Sequence, residues 1–346
     1  MLTVGDPVPW FVARSASAPA LPFATVGGRY VVLSVFGSAA RDDVRTMLSA
    51  IKARTEMFDG AFAAFYGVST DPEDERSRRV LDNPPGFHVL WDAEAKIADA
   101  CGLIETAGSG RSLRPASFIL DPNLRVVAAL PIAEPMSHGK ELLAAFGAVL
   151  RQGVTGAVAL PAPVLVVPRV FERDFCQRLV AAYLTGPSAA AGEGERVRRR
   201  EGHVSDEELQ GEIRARIVRR LLPEIAKAFQ YTPTRIERFM IASYDSRDGG
   251  HVRAHRDNIL AGTQHRRFAA TINLNAEDYD GGDLRFPEFD ARNYRAPTGA
   301  AIVYSCSLMH EVAPVTRGTR MAFLPFLYDE AGEKIRQAYL EAQTAK

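Results

Sequence analysis

The sequence has few cysteines, and their arrangement excludes two classes of small, cross-linked protein. Cys101, Cys176 and Cys306 are widely spaced along 346 residues, and no two of them form a CxxC pair. An odd number of distant cysteines argues against a disulfide framework and against a zinc ribbon. We therefore expect the three thiols to be buried and structural.

The sequence also lacks long apolar segments and an excess of charge of one sign. Its start, MLTVGDPVPW, has no basic segment followed by an apolar one, and no run elsewhere is long enough to span a bilayer. The 42 basic and 42 acidic residues give a formal net charge of zero, which argues against general electrostatic binding to nucleic acid or anionic lipid. We expect a cytoplasmic protein that binds neither nucleic acid nor membrane.

The chain does contain enough residues for two domains, and its two halves have different patterns. Residues 1–152 alternate buried-strand patterns, such as RYVVLSVFG, with helical ones, such as DDVRTMLSAIKARTEMF, which predicts an α/β domain. The stretch 153–164 is rich in Gly, Ala and Pro and predicts a linker. In 165–346, two helical segments precede many short strands, which predicts a jelly roll with supporting helices.

A candidate metal site begins in the stretch GGHVRAHRDN. His255 and Asp257 are two residues apart on a predicted strand, so their side chains point to the same face. His310, which follows an apolar strand, supplies a third ligand. Two histidines and one carboxylate on one side of an ion leave three positions open, which is the arrangement of non-haem Fe(II) oxygenases. Mixed nitrogen and oxygen ligands without thiolate also favour Fe(II) over structural zinc.

The span 236–328 resembles the prolyl-4-hydroxylase-like group of Fe(II)/2-oxoglutarate dioxygenases. The matching features, in order, are Tyr244, Gly249-Gly250, His255-x-Asp257, TINLN, YDGGDLRF, AIVYSCS, HEV beginning at His310, and PVTRGTR ending at Arg320. The resemblance implies a double-stranded β-helix with Fe(II) as cofactor, 2-oxoglutarate and O2 as cosubstrates, and ascorbate as a candidate reductant. It implies hydroxylation of an unactivated C–H bond of a prolyl, amino-acid or peptide substrate, with release of succinate and CO2.

The same resemblance implies roles for further residues. Arg320 would bind the distal carboxylate of 2-oxoglutarate through a guanidinium fork. Tyr244 would help to hold the cosubstrate, and Asn273 occupies a position where relatives often have tyrosine. No protein acid or base is required.

Contacts with the substrate are less well defined by the sequence. Arg253 and His251 share the strand face of His255, so each is a candidate substrate contact. Arg253 could instead pair with a nearby acid. The basic run Arg196–Arg200 is either a solvated face or part of a substrate loop over residues 196–205.

Residues 1–152 resemble the peroxiredoxin/thioredoxin-like (redoxin) fold through VGDPVPWF, GGRYVVLSVFG, YGVSTDPEDE and RPASFILDPNLRVV. A peroxidatic site needs a thiolate near the start of the helix after the first buried strand. That region, VFGSAARDDVR, has no cysteine, and the hydroxyl of Ser38 cannot replace a thiol. We therefore expect a non-catalytic redoxin-like domain that forms a homodimer, covers the oxygenase site or docks a partner.

Two other functions stay open at this point. A thiol-dependent peroxidase or redox protein would use Cys101 or Cys306. In a non-enzymatic binding module neither domain would be catalytically active, but the complete set of three metal ligands and Arg320 argues against this function.

Overall fold

The computed structural model describes residues 1–107, 110–156, 160–191 and 196–344, and of residues 107 and 152–156 it describes the backbone alone. The chain divides into two units, Met1–Leu160 and Pro161–Lys346. The division falls inside the predicted linker, whose residues 157–159 lie outside the described residues. The helix before it continues to Gly156. The domain boundaries 1–152 and 165–346 stay a prediction.

The first unit is an α/β unit built on a mixed sheet. Its strands are β1 (Val12–Ser15), β2 (Leu21–Pro22), β3 (Tyr30–Gly37), β4 (Ala63–Ser69), β5 (Phe87–Trp91), β6 (Ile104–Ala107), β7 (Gly110–Leu113), β8 (Ala116–Leu120) and β9 (Val126–Pro131). Its helices are α1 (Asp42–Lys52), α2 (Pro72–Arg76), α3 (Lys96–Ala100) and α4 (Pro135–Gly156).

The main sheet of this unit has the strand order β2-β1-β5-β4-β3-β8-β9. The pairs β3–β4 and β4–β5 are parallel, while β8 runs antiparallel to β3. Leu33 packs into a core on one face of the sheet, and its neighbour Val32 packs on the other face with Met47 of α1 and Phe146 of α4. Burial on both faces explains why RYVVLSVFG is continuously apolar, and the predicted thioredoxin-like α/β fold is confirmed.

The second unit contains many short strands and a set of helices. Its strands are β10 (Leu165–Val167), β11 (Ala189–Ala190), β12 (Val197–Arg198), β13 (Arg200–His203), β14 (Arg235–Glu237), β15 (Met240–Asp245), β16 (His251–His255), β17 (Phe268–Asn273), β18 (Asp280–Gly281), β19 (Leu284–Arg285), β20 (Ala301–Ser305), β21 (His310–Val312), β22 (Val315–Arg317), β23 (Thr319–Phe323) and β24 (Phe326–Tyr328). Its helices are α5 (Arg173–Thr185), α6 (Glu207–Arg216), α7 (Leu222–Phe229) and α8 (Glu330–Thr344).

Two sheets of the second unit enclose a shared core, as predicted for a jelly roll. The larger has the order β10-β20-β17-β23-β15-β13-β11, and the smaller has the order β12-β16-β21-β19. Ala269 of β17 packs in the core between the sheets with Val252 of β16 and Val312 of β21. The next residue, Ala270, faces the opposite way and packs against α5 residues such as Phe175, as the period of two along a strand requires.

Helices cover the outer face of the larger sheet. The segment DEELQGEIRARIVRRLLPEIAKAF, predicted as one helix, forms α6 and α7 joined by a π-helical turn at Ile217–Leu221. Pro223 lies at the start of α7, and because its ring nitrogen carries no hydrogen it cannot continue the regular helical bonding pattern. Within the described residues, no helix combines the length and the apolar character needed to cross a bilayer.

Candidate metal centre

Antiparallel pairing brings the three predicted metal ligands together. His255 is the last residue of β16, and His310 is the first of β21, and the two are direct cross-strand partners with ring centroids 4.3 Å apart. Asp257 lies just beyond the end of β16, where its backbone N–H donates to the carbonyl of Cys306 at 3.0 Å. One ligand atom from each of the three side chains lies within 4.8 Å of the others.

The carboxylate of Asp257 lies between the two imidazoles. Its Oδ1 is 3.4 Å from Nε2 of His255, and its Oδ2 is 3.4 Å from Nε2 of His310. We predicted that His255 and Asp257 share a strand, but β16 ends at His255. The two side chains converge nevertheless, because the chain beyond the strand is tied to the turn that precedes His310.

Backbone hydrogen bonds set the tautomer of both histidines. Nδ1 of His255 lies 3.0 Å from the carbonyl oxygen of Arg253, and Nδ1 of His310 lies 3.0 Å from that of Leu308. A carbonyl oxygen can only accept a hydrogen bond, so each Nδ1 carries the proton. The lone pair of each ring is then on Nε2, the atom that faces Asp257, as a metal-ligating histidine requires.

The protonation states of the buried ligands also suit a metal. Burial lowers the pKa of His310 to about 4, so its imidazole is neutral at neutral pH. For Asp257, burial favours the neutral acid, but the adjacent His310 and His255 outweigh that effect and hold the pKa below its ordinary value. A neutral imidazole beside an ionised carboxylate is the state that binds a cation.

A buried ion pair connects the two segments that carry the ligands. Nη2 and Nη1 of Arg256 donate to the carboxylate of Glu288 at 2.6 and 2.9 Å, and Arg256 also donates to the carbonyl of Ser307. Glu288 accepts the backbone N–H of Met309 at 2.9 Å, and Asn258 donates to the hydroxyl of Ser307 at 2.8 Å. One ion pair thus holds both Arg256, which lies between the first two ligands, and Met309, which precedes the third.

Replacing Glu288 with glutamine is expected to weaken metal binding by about 10- to 100-fold, the usual effect of changing a group that supports metal ligands. The change removes the negative charge that Arg256 contacts in the buried pair, so the support of the turn before His310 is weakened. Anaerobic calorimetric titration with Fe(II) measures the affinity. Glu330→Gln, which breaks the exposed pair of Glu330 with Arg235, is the control. Wild-type affinity in Glu288→Gln would show that the pair does not position the ligands.

A cavity of about 320 Å³ adjoins the three ligands. Arg320 of β23 lines it and is 2% exposed, and its Nε and Nη1 have no hydrogen-bond partner among the described residues. Its guanidinium lies 4.8 Å from the ring centroid of Tyr244, its partner on β15. A buried cation with unsatisfied donors is costly, so this wall of the cavity is suited to an anion.

The same cavity is lined by one residue of the basic run, whose role the sequence left open, and by two groups that the sequence did not single out. Arg199, between β12 and β13, donates to the hydroxyl of Tyr244 at 3.3 Å and to Glu201. Thr271 and Tyr304 also line the cavity. The basic run Arg196–Arg200 was the available signal for Arg199, but its local sequence does not distinguish a solvated face from a cavity wall.

The other predicted contacts divide into one that reaches the cavity and two that do not. Arg253 is exposed and lines the cavity. Asn273 is buried and donates to the carbonyl of Ala296. His251 bonds through Nδ1 with the carbonyl of Gly249 at 2.7 Å. Neither Asn273 nor His251 is among the described residues that line the cavity.

The three cysteines are buried, as expected, and none is paired in a disulfide. Burial raises the pKa of the Cys101 and Cys176 thiols to about 12, and it raises the pKa of Cys306 well above the ordinary value. Reactive thiols have the opposite character, since they are exposed and have a lowered pKa.

Carboxylates lie around the start of α1, where a peroxidatic thiolate would need positive surroundings. Ser38 donates to Oδ2 of Asp71 at 2.6 Å, and the backbone N–H of Ala39 donates to Asp74 at 2.7 Å. Arg79 forms ion pairs with both carboxylates. The region is therefore a closed hydrogen-bonded network rather than an anion site.

We expect no cysteine-dependent peroxide reduction by this chain. The wild-type protein and a variant with alanine at Cys101, Cys176 and Cys306 should both consume hydrogen peroxide at the uncatalysed rate with dithiothreitol as reductant, because no exposed thiolate is available. The rate of hydrogen peroxide loss is measured for both proteins and compared with the uncatalysed rate. Consumption by the wild type that disappears in the triple variant would restore the peroxidase hypothesis.

Two parts of the chain match the models of different protein families. Residues 239–328 match the model of the 2OG-Fe(II) oxygenase superfamily, and residues 4–129 match that of the AhpC/TSA family. A PKHD-type hydroxylase of Synechococcus sp. (strain JA-2-3B'a(2-13)) is 32% identical over 127 residues, which are 35% of this chain and 54% of the relative. The chain therefore spans about half the length of the curated relatives it matches.

Two solved structures each resemble part of the chain. A prolyl-4-hydroxylase of Pseudomonas putida superposes with a TM-score of 0.41 at 19% identity, covering 53% of this chain and 98% of that one. The peroxidoxin BcpB of Mycobacterium tuberculosis gives a TM-score of 0.38 at 18% identity, covering 43% of this chain and 99% of that one.

Proposed function

We propose that the chain is an Fe(II)- and 2-oxoglutarate-dependent oxygenase, since residues 239–328 match the model of the 2OG-Fe(II) oxygenase superfamily. It would hydroxylate an unactivated C–H bond and convert 2-oxoglutarate and O2 to succinate and CO2, with one atom of O2 entering succinate and the other entering the hydroxylated substrate. The observation that carries this proposal is the buried Arg320, whose unpartnered donors lie in the same cavity as three convergent metal ligands.

The donor set supports iron as the metal. His255 and His310 offer neutral Nε2 atoms, Asp257 offers a carboxylate oxygen, and no thiolate takes part. Two imidazoles and one carboxylate on one side of an ion are typical of Fe(II) oxygenases. When bound there, Fe(II) would supply the oxygen-activating chemistry, coupled to oxidative decarboxylation of 2-oxoglutarate.

The side chains of the cavity would bind and orient the cosubstrate. The guanidinium of Arg320 would bind its distal carboxylate, a pairing in which two parallel hydrogen bonds fix both position and direction. Tyr244 would form the wall beside that carboxylate, with its hydroxyl held by Arg199. We assign no cosubstrate contact to Asn273, because it bonds to Ala296 away from the cavity.

Apolar side chains of the cavity would keep water from the reacting groups. Val252, Leu284 and Val312 line it and are buried in the core between the two sheets. A dry wall next to the metal ligands limits side reactions and strengthens the polar contacts that orient the ligands. Catalysis would then depend on positioning, and the chain would need no acid or base of its own.

The substrate and the partners are part of the proposal. The name of the curated relatives, PKHD-type hydroxylase, supports hydroxylation, and the likeness to the prolyl-4-hydroxylase-like group favours a prolyl, amino-acid or peptide target. We propose that the redoxin-like unit is non-catalytic and forms a homodimer, and that ascorbate serves as reductant. The cytoplasmic location stays a prediction.

Succinate release tests the proposed function. Protein reconstituted with Fe(II) under anaerobic conditions is mixed with 2-oxoglutarate and O2 and screened against prolyl peptides, amino acids and small metabolites. Slow succinate formation without substrate should rise when a substrate is present, and it should stop when a chelator removes the metal. A protein that binds no iron and forms no succinate with any compound would not be an oxygenase.

A further inference from the structure

The hydroxyl of Tyr244 accepts a hydrogen bond from a guanidinium, and this fixes the direction in which the hydroxyl can donate. Nη1 of Arg199 donates to it at 3.3 Å, and among the described residues Arg199 is its one hydrogen-bond partner. Tyr244 is 1% exposed and lines the cavity beside the metal ligands. A guanidinium has donors but no acceptor, so the single hydrogen of the hydroxyl has to point away from Arg199 and into the adjacent cavity.

Arg199 is itself held by an ion pair that leaves one of its nitrogens for Tyr244. Nε and Nη2 of Arg199 donate to Oε1 of Glu201 at 2.9 and 2.5 Å, and Oε2 of Glu201 accepts from Nη2 of Arg238 at 3.0 Å. The side chains of Arg199 and Glu201 are each 17% exposed. Because the carboxylate engages one edge of the planar guanidinium, the remaining nitrogen, Nη1, is directed at Tyr244.

Strand pairing explains why this arginine reaches the tyrosine. Arg199 lies between β12 and β13, and β13 pairs with β15 so that Arg200 is opposite Ser243. Tyr244, the next residue of β15, is opposite Arg320 of β23. The side chain of Tyr244 therefore contacts two guanidinium groups, one through its hydroxyl and one through its ring.

The hydrogen of the Tyr244 hydroxyl lies on the same wall of the cavity as the unpartnered donors of Arg320. Nε and Nη1 of Arg320 have no hydrogen-bond partner among the described residues, and both side chains line the cavity. A hydroxyl that accepts a bond from a charged group is polarised and becomes a stronger donor. This wall thus offers an anion the fork of Arg320 and a hydroxyl whose hydrogen is already turned away from Arg199.

We propose that Arg199 is a positioning residue for the cosubstrate, which turns the hydroxyl hydrogen of Tyr244 toward the distal carboxylate of 2-oxoglutarate at Arg320. This inference rests on the proposed function, because it concerns the cosubstrate of the same site. A carboxylate only accepts hydrogen bonds. A hydroxyl that rotated freely would therefore present its lone pairs to the carboxylate part of the time, and binding would weaken. Arg199 would act through Tyr244 without touching the cosubstrate.

A double-mutant cycle tests the proposal. Calorimetry under anaerobic conditions measures the binding of the unreactive 2-oxoglutarate analogue N-oxalylglycine to the Fe(II)-loaded protein. Tyr244→Phe keeps the ring but removes the hydroxyl, and it should raise the dissociation constant about tenfold or more, as expected when a hydrogen bond to a charged group is lost. Arg199→Met should raise it about fivefold, and it should have no further effect in Tyr244→Phe, because the two residues act as one unit.

Oxalate distinguishes positioning from a general loss of structure. It can chelate the metal but has no distal carboxylate, so its affinity should be the same in the wild type, Arg199→Met and Tyr244→Phe. Arg200→Met is the matched control, since Arg200 is exposed on the same ribbon, donates to Ser188 and is not among the described lining residues. Arg200→Met should bind N-oxalylglycine as the wild type does.

Arg199→Lys is made in parallel and takes the place of Arg199→Met if that variant does not fold. It keeps the positive charge beside Glu201, but its ammonium cannot serve Glu201 and Tyr244 together as the fork does. It should weaken N-oxalylglycine binding about threefold or more, and only when the hydroxyl of Tyr244 is present.

The outcomes separate this inference from the function on which it rests. Failure of the wild type to bind N-oxalylglycine in the presence of Fe(II) would overturn the oxygenase assignment itself. The oxygenase assignment stands and the positioning role is wrong in three cases: the Arg199 variants bind N-oxalylglycine as the wild type does, their effect adds to that of Tyr244→Phe, or they weaken oxalate as much as N-oxalylglycine.

Discussion

Replacing His255 with alanine is expected to abolish succinate formation and to weaken Fe(II) binding by more than about 100-fold, since changes outside the ligand set already weaken metal binding by about 10- to 100-fold. The substitution removes one of the three convergent ligand atoms. It also leaves His310 and Asp257 as a two-ligand set, which cannot hold an ion in a defined geometry. Anaerobic calorimetry gives the affinity, and a succinate assay gives the activity.

The control for His255→Ala is another strand histidine. His203 ends β13, is exposed and is not among the described residues that line the cavity, so His203→Ala should bind Fe(II) and form succinate as the wild type does. Substrate-linked succinate formation that persists in His255→Ala would refute the assignment of the metal ligands.

The convergence of His255, Asp257 and His310 was predictable because two of them are close in sequence and the third follows a recognisable strand. Strand ends were predicted less accurately, because β16 ends at His255 and Asp257 lies beyond it. The alternation of side chains along a strand predicts the face of the sheet on which a residue lies, but not whether the residue reaches the cavity. Asn273 shares the strand parity of Thr271, yet Thr271 lines the cavity and Asn273 bonds to Ala296. Two residues on the same face of a strand can therefore differ in whether they reach the cavity.

Contacts between distant segments could not be predicted. The ribbon β12–β13 pairs with β16 of the smaller sheet and with β15 of the larger one, which places Arg199 against Tyr244. Arg256 and Glu288 are 32 residues apart, and nothing in either local sequence indicates their pairing. Such pairs depend on the register of the whole barrel, whereas hydrophobic periodicity reports only on neighbours along the chain.

The C-terminal helix α8 was missed for a different reason. Among the described residues of α8, Gly332 is the one that is buried, so this helix does not bury an apolar stripe as the amphipathic helices of the core do. Gly332 closely approaches the carbonyl of His265 and the ring of Tyr328, where a β-carbon would lie 2.7 Å from the former. The packing that holds this helix therefore requires the absence of a side chain, and a hydrophobic pattern does not detect that requirement.

Replacing Arg320 with glutamine is expected to raise the dissociation constant for 2-oxoglutarate by at least about 30-fold, because loss of one partner of a buried charge pair costs about 2 kcal/mol or more. In Arg320→Lys the dissociation constant for 2-oxoglutarate should rise less, by about tenfold. Lysine keeps the positive charge but lacks the guanidinium fork that makes two parallel hydrogen bonds. Binding is measured by calorimetry with Fe(II) present and O2 absent. Arg317→Gln is the control, since Arg317 is on β22, is exposed and pairs with Asp280.

The thermal stability of the ligand-free protein gives a second test of the role of Arg320. Nε and Nη1 of Arg320 are buried and have no partner among the described residues, so the ligand-free protein bears the cost of a desolvated cation. Arg320→Gln should therefore unfold at the same or a higher temperature than the wild type when no ligand is present, and it should gain less stability from 2-oxoglutarate, because stabilisation by a ligand follows its affinity. A purely structural arginine would give the opposite order, with the ligand-free variant clearly less stable and its affinity for 2-oxoglutarate unchanged. That result would remove Arg320 from the cosubstrate site.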